Sequence, residues 1–288
     1  MKTITAFTKR HPVLTYFALT FVISWTGLLL VAGPSGISAT SGPSETLLPF
    51  MYLGMLAGPS LAGVLLTGLV SGQAGFREVR SRLFRWQVGA RWYALALLTA
   101  PLVWMATLFA LSLTSRAYLP DIVASDDKAS LLLFGITVGL VVGMFEELGW
   151  TGFAIPRLRQ RYGVLTTGLI VGVLWGAWHF PLFFWGSGTF SGGLPPALVL
   201  FVQLFSFLPA FRVLMVWVYD RTESLLVAML MHASQVVCTL SLAPLAIAGI
   251  PLVTSDLVFA AVLWVVVAVA AVASRGQFSR QALPRGVA

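Results

Sequence analysis

Residues 139–163, GLVVGMFEELGWTGFAIPRLRQRYG, place two adjacent acids, Glu146 and Glu147, inside a hydrophobic run. One charged side chain at the centre of a bilayer costs about 2.5–3.5 kcal/mol on insertion scales. Two neighbouring carboxylates add mutual repulsion in a low dielectric. An intramembrane ionisable pair of this kind marks a functional site. His179 and His232, each in another apolar stretch, are candidates to share it.

Working outward, the 288 residues are 58% hydrophobic and 10% charged, far below the roughly 25% charged residues of soluble domains. Apolar runs near the ~20 residues that span a bilayer recur along the chain. Eight are expected, at about 12–32, 47–70, 92–115, 131–152, 164–186, 196–219, 224–245 and 251–273. They describe one all-α polytopic membrane domain over residues 1–288, a bundle of about eight transmembrane helices. Continuous rather than alternating apolar runs argue against a β-barrel. Lys9-Arg10 before an apolar run has the look of a signal peptide, but the run is long for one and reads as a retained first span.

The net charge of +8 is explained by topology. If the N-terminus is cytoplasmic, eight spans return the C-terminus to that side, and all cationic residues except Arg116 and Lys128 fall at inner ends and loops. Glu45, Asp121, Asp126, Asp127 and Asp256 fall outside. The positive-inside rule accounts for this distribution without nucleic acid. Cys238 is the lone cysteine, which precludes an intrachain disulfide and reads as a small buried hydrophobe.

Residues 72–91, GQAGFREVRSRLFRWQVGAR, set Phe76, Val79, Leu83 and Trp86 at helical spacing with arginines between. That is the pattern of a basic interfacial helix or loop meeting anionic membrane lipids. Pro156 is expected to stop or kink the fourth span. Gly135, Gly139, Gly143 and then Glu147 recur every four residues, and Gly168, Gly172 and Gly176 repeat the spacing before His179. Such rows let helices approach closely in lipid, so the fourth and fifth spans belong inside the bundle. Gly54 and Gly58 are a shorter instance in the second span.

Adjacent helical residues point about 100° apart, so one glutamate can face a cavity while the other supports the structure. An arginine, Arg157 or Arg212, is the natural partner of a buried acid. Arg212 on its own reads as a snorkelling residue near the inner end of its span. His11, before Pro12, reads as a solvated interfacial residue. Two histidines with one carboxylate form a common catalytic zinc set, His179, His232 and Glu146 here. The same groups activate water without metal, by base catalysis and hydrogen bonding. No HExxH motif is present. By helix rise, Glu146 and His232 lie about 12–14 Å from the cytoplasmic ends of their spans, and His179 lies about 22 Å from the start of its own.

These residues resemble the CPBP (CAAX protease and bacteriocin-processing) family of intramembrane proteases, related to the type II CAAX prenyl endopeptidase. Its pattern is Glu-Glu followed by three residues and an arginine, then F/W-x-x-x-His, then His-x-x-x-Asn. The chain has Glu146-Glu147, Trp175-x-x-x-His179 and His232. The resemblance runs from Gly58-Pro59-Ser60 through the seventh span, with a family-like core at about 47–245. Two positions depart: Thr151 stands at the family arginine and Val236 at the family asparagine. Arg157 and Gln235 are candidate replacements for the missing charge and amide.

The resemblance implies an endopeptidase of peptides or membrane-protein tails in a bacterial plasma membrane. In it Glu146 activates water with Glu147 as auxiliary, and His179 and His232 orient water, bind metal or stabilise the oxyanion, with Trp175 in support. A non-catalytic chaperone or immunity factor is the alternative favoured by Thr151 and Val236. A proton-coupled transporter is a third reading, but no internal symmetry supports it.

Overall fold

Apolar runs inside a bilayer have no water for their backbone N–H and C=O groups, so each must close its own hydrogen bonds as a helix. The computed structural model describes residues 2–33, 47–186, 193–244, 247–274 and 278. Among them the chain is helical without strands. Helices α1 (Lys2–Arg10), α2 (Pro12–Ala32), α3 (Leu48–Leu83) and α4 (Ala90–Ser112) precede a short 3₁₀ turn and α5 (Asp121–Ala124). Then come α6 (Lys128–Gly149), a π-helical turn (Trp150–Ala154), α7 (Ile155–Arg159) and α8 (Val164–Gly186). The chain continues through α9 (Pro196–Phe205), α10 (Leu208–Thr222), α11 (Leu225–Ser241) and α12 (Ile250–Ala273). Among the described residues seven spans are long and apolar enough to cross a membrane, with α9 and α10 together making one, and α11 is a shorter apolar helix. The chain is thus a polytopic all-α membrane protein.

Seven of the eight expected spans are among these, and the one expected at 224–245 is the shorter helix α11; three further differences follow. The sixth is broken at Ser206-Phe207, and Pro209 sits in the first turn of α10, where a missing N–H is harmless. Pro156 does not stop the fourth span; it too occupies a helix start, in α7. The second span runs past residue 70 and bends at Gly72, whose φ of 56° and ψ of −145° suit glycine alone. Beyond it, residues 73–83 form a second helical leg, so the segment expected at 72–91 is helix, connector and the first turn of α4. Phe76, Phe84 and Trp86 on this segment are exposed. Arg85 pairs with Glu223 at 2.6 Å, and the Ser224 hydroxyl donates to the Arg85 carbonyl at 2.7 Å. These bonds tie the connector to the α10–α11 junction.

Proline inside a helix frees the carbonyl four residues earlier. Pro59 frees that of Met55, and the Ser24 hydroxyl donates to it at 2.5 Å; Pro101 frees that of Leu97, which accepts from Ser234 at 2.8 Å. At the break before α10, Trp264 Nε1 donates to the Ser206 carbonyl at 3.3 Å. Neighbouring helices thereby supply the backbone partners that lipid lacks.

The glycine rows lie at helix contacts. A Cβ on Gly139 would stand 2.7 Å from the Ala233 carbonyl oxygen, and one on Gly143 would stand 2.6 Å from that of Met229, so α6 packs on α11. A Cβ on Gly172 would stand 2.5 Å from Pro209 Cα and 3.2 Å from Arg212 Cβ, so α8 packs on α10. A Cβ on Gly54 would stand 2.8 Å from the Gly27 carbonyl carbon, joining α3 to α2. The α6 row sets the direction of its next member: Glu147 continues it and faces α11.

Candidate active site

Glu147 is fully buried and all its acceptor capacity is engaged. Arg212 Nη1 reaches Oε1 at 2.8 Å and Oε2 at 2.9 Å. His232 Nδ1 stands 2.8 Å from Oε1, and the Thr151 hydroxyl donates to Oε2. An ionised carboxylate only accepts, so His232 carries hydrogen on Nδ1 and turns Nε2 away from Glu147. Arg212 is likewise fully buried, with Cζ 4.1 Å from the centre of the Trp175 ring. The glycine at 172 leaves room for its side chain.

Glu146, 2% exposed, is held differently. Two indole N–H groups converge on Oε2, from Trp175 at 2.7 Å and from Trp150 at 3.2 Å. Trp150 lies one turn beyond Glu146 in the π-helical turn, a geometry frequent at functional sites. The same turn brings Thr151 onto Glu147. Behind the pair, the Ser60 hydroxyl donates to the Phe145 carbonyl, and Gly149 allows the Pro59 carbonyl to lie against α6. The Gly58-Pro59-Ser60 segment is thus a backing for the acids.

Trp175 is the hub of the arrangement. Its indole bonds Glu146, its face meets Arg212, and its ring centroid is 5.1 Å from that of His232 and 5.4 Å from that of His179. His179 is half-buried, with Nδ1 2.8 Å from the carbonyl of Trp175, which fixes hydrogen on Nδ1 and frees Nε2. Trp178 closes the other side at a ring separation of 4.7 Å. Glu146, His179 and His232 thus surround one indole, and Glu147 joins them through Arg212 and His232, despite their different depths along their helices.

Two expectations need correction. Arg212 does not snorkel; it forms the buried ion pair with Glu147. Arg157 lies away from the acids, with Nη1 2.9 Å from the Phe153 carbonyl and Nη2 3.1 Å from Ser71 Oγ. Glu147 takes its positive partner from Arg212, and the Thr151 hydroxyl donates to Oε2, an oxygen that Arg212 also reaches. Gln235 is buried one turn from His232; its Nε2 reaches Thr239 at 3.2 Å and its Oε1 has no partner among the described residues.

For a metal, the available donor atoms are Nε2 of His179, Nε2 of His232 and Oε1 of Glu146. Among the described residues no three acids, histidines or cysteines gather closely enough to hold an ion. As placed, these three do not form a metal-holding set.

Comparison with known proteins bears on this same region. Residues 128–238 match the family described as Type II CAAX prenyl endopeptidase Rce1-like. Over 45 residues the chain is 44% identical to CAAX prenyl protease 2 of Methanococcus maripaludis. That stretch is 16% of this chain and 17% of the relative, so the alignment spans about a sixth of the relative's length. The part of the chain that carries the two glutamates, both histidines and their arginine is therefore similar to the Rce1-like type II CAAX prenyl endopeptidases.

Proposed function

We propose that the chain is an intramembrane endopeptidase that hydrolyses peptides or membrane-protein tails from the cytoplasmic side, with both termini on that side. A bacterial plasma membrane is the proposed location. The observation that carries the reading is the asymmetry of the acid pair. Glu147 is saturated by Arg212, His232 and Thr151, while Glu146 has two indole donors on one oxygen and, among the described residues, no partner on the other.

In this reading Glu146 Oε1 takes a proton from water as the oxygen attacks the scissile carbonyl carbon. The indole donors keep the carboxylate oriented, and the same proton passes to the leaving amine. His179 and His232 carry hydrogen on Nδ1, so each Nε2 accepts a hydrogen of the attacking water and orients it. Glu147 is a positioning residue that holds His232. The steps described use side chains alone.

The test is cleavage of a library of membrane-tethered peptides by the purified protein in lipid, beside Glu146→Ala and His179→Ala, with and without chelator. Loss of cleavage in both folded variants supports the enzyme, and loss on chelation adds the metal. A second reading, a non-catalytic factor that binds a membrane partner, is favoured by Val236, which puts no amide at the family's asparagine position. It predicts that intact protein and variants alike cleave nothing in the library.

A further inference from the structure

We propose that a basic cavity at one end of the bundle binds the phosphate of an anionic phospholipid headgroup. The cavity, of about 500 Å³, lies where α1 meets α2, where the first leg of α3 ends, and beside α7. Arg10, Arg82, Arg157 and Arg161 line it, and Glu78 is the one acid on its wall among the described residues. Arg10, Arg82 and Arg157 alone, against Glu78, leave a surplus of two positive charges. Such a concentration of guanidinium groups in a cavity is unfavourable unless an anion neutralises it.

Two of the arginines are held in place. Arg82 is 7% exposed, bonds Glu78 through Nη2, and has a buried Nε with no partner among the described residues. Arg157 lies with Cζ 3.7 Å from the centre of the Phe153 ring and bonds Ser71 and the Phe153 carbonyl. A fixed guanidinium fork matches phosphate oxygens in both charge and geometry, and each terminal nitrogen of Arg157 keeps a second N–H beyond the one it uses. The surroundings favour a lipid as the source of that phosphate. Leu14, on the cavity wall, is 61% exposed, and Phe7 and Phe76 on the adjoining helices are exposed as well. These apolar groups offer contact to acyl chains beside a charged headgroup pocket, the pattern of basic sites between membrane helices.

The site also touches the catalytic candidates through packing. Arg157 lies on Phe153, whose ring is 5.3 Å from that of Tyr16, and Tyr16 is 5.6 Å from Trp150, a donor to Glu146. The lipid-site reading stands independently of whether the protein cleaves peptides.

The experiment uses the full chain in phosphatidylcholine nanodiscs, with binding of a fluorescent phosphatidylglycerol measured for wild type, Arg157→Gln, Arg10→Gln and, as a surface control, Arg80→Gln. Removing one cavity arginine is expected to weaken phosphatidylglycerol by about fivefold, while the exposed Arg80 changes it less than about twofold. If Arg157→Gln does not fold, the exposed Arg10→Gln carries the comparison. Equal affinities for all four proteins would overturn the proposal in favour of diffuse surface attraction. Displacement of the lipid by inorganic phosphate at equal concentration would overturn it in favour of a free-phosphate site. Selective weakening without such displacement would support it.

Discussion

Arg212→Met leaves the Glu147 carboxylate buried without its cation, and this perturbation tests the core of the site. Both groups are fully buried, and Arg212 Nη1 lies 2.8 and 2.9 Å from the two carboxylate oxygens. Removing one partner of such a pair costs about 3–5 kcal/mol, chiefly because the remaining charge is stranded. Loss of the guanidinium from the face of Trp175 contributes to the same loss, since a desolvated cation–π contact is worth about 2 kcal/mol. Unfolding by steric trapping in bicelles reads the free energy directly. The single variant should lose about 3–5 kcal/mol, and Arg212→Met with Glu147→Gln should recover more than half, because no charge is then stranded. A single variant within about 0.5 kcal/mol of wild type would refute the pairing, as would a double variant no more stable than the single one.

Other consequences are equally specific. Trp175→Phe keeps the ring but removes the 2.7 Å hydrogen bond to Glu146; kcat should fall about tenfold or more with KM little changed, a loss of about 1.5–3 kcal/mol for a bond to a charged group. Gly149→Ala drives a methyl group into the Pro59 carbonyl and should destabilise by about 1–3 kcal/mol, measured by the same unfolding assay. Gly72→Ala forces a side chain onto φ 56°, ψ −145° and should cost about 1–3 kcal/mol, seen as faster hydrogen exchange across residues 73–83.

The spans were legible because bilayer thickness fixes the length of an apolar helix, and the four-residue glycine rows disclosed which faces pack. The α6 row even pointed at Glu147 as the acid facing another helix. Its partner was narrowed to Arg157 or Arg212 but not chosen: Arg212 lies 65 residues from Glu147, and hydropathy carries no information about which helices are neighbours. The signal available was indirect, namely an acid pair with threonine at position 151 and a glycine at 172 clearing space on the facing helix. Arg157 looked closer along the chain, but the π-helical turn between it and the acids adds a residue and shifts the phase of everything beyond by about 100°. Convergence of His179 with the shallower residues was also hidden, because depth along separate helices ignores tilt and the reach of a shared tryptophan. The break in the sixth span had a readable marker in Pro209, since proline at a helix start announces a new helix.

The most direct measurement of the central claim compares Glu146→Gln with Glu147→Gln in lipid, on one cleaved peptide, with rates normalised to folded protein. The account predicts that Glu146→Gln keeps wild-type stability and loses cleavage by at least about 100-fold, since a general base contributes on that scale. Glu147→Gln should lose stability first and retain a larger share of the rate per folded molecule. Wild-type turnover by Glu146→Gln, with the loss confined to Glu147→Gln, would contradict the assignment of roles.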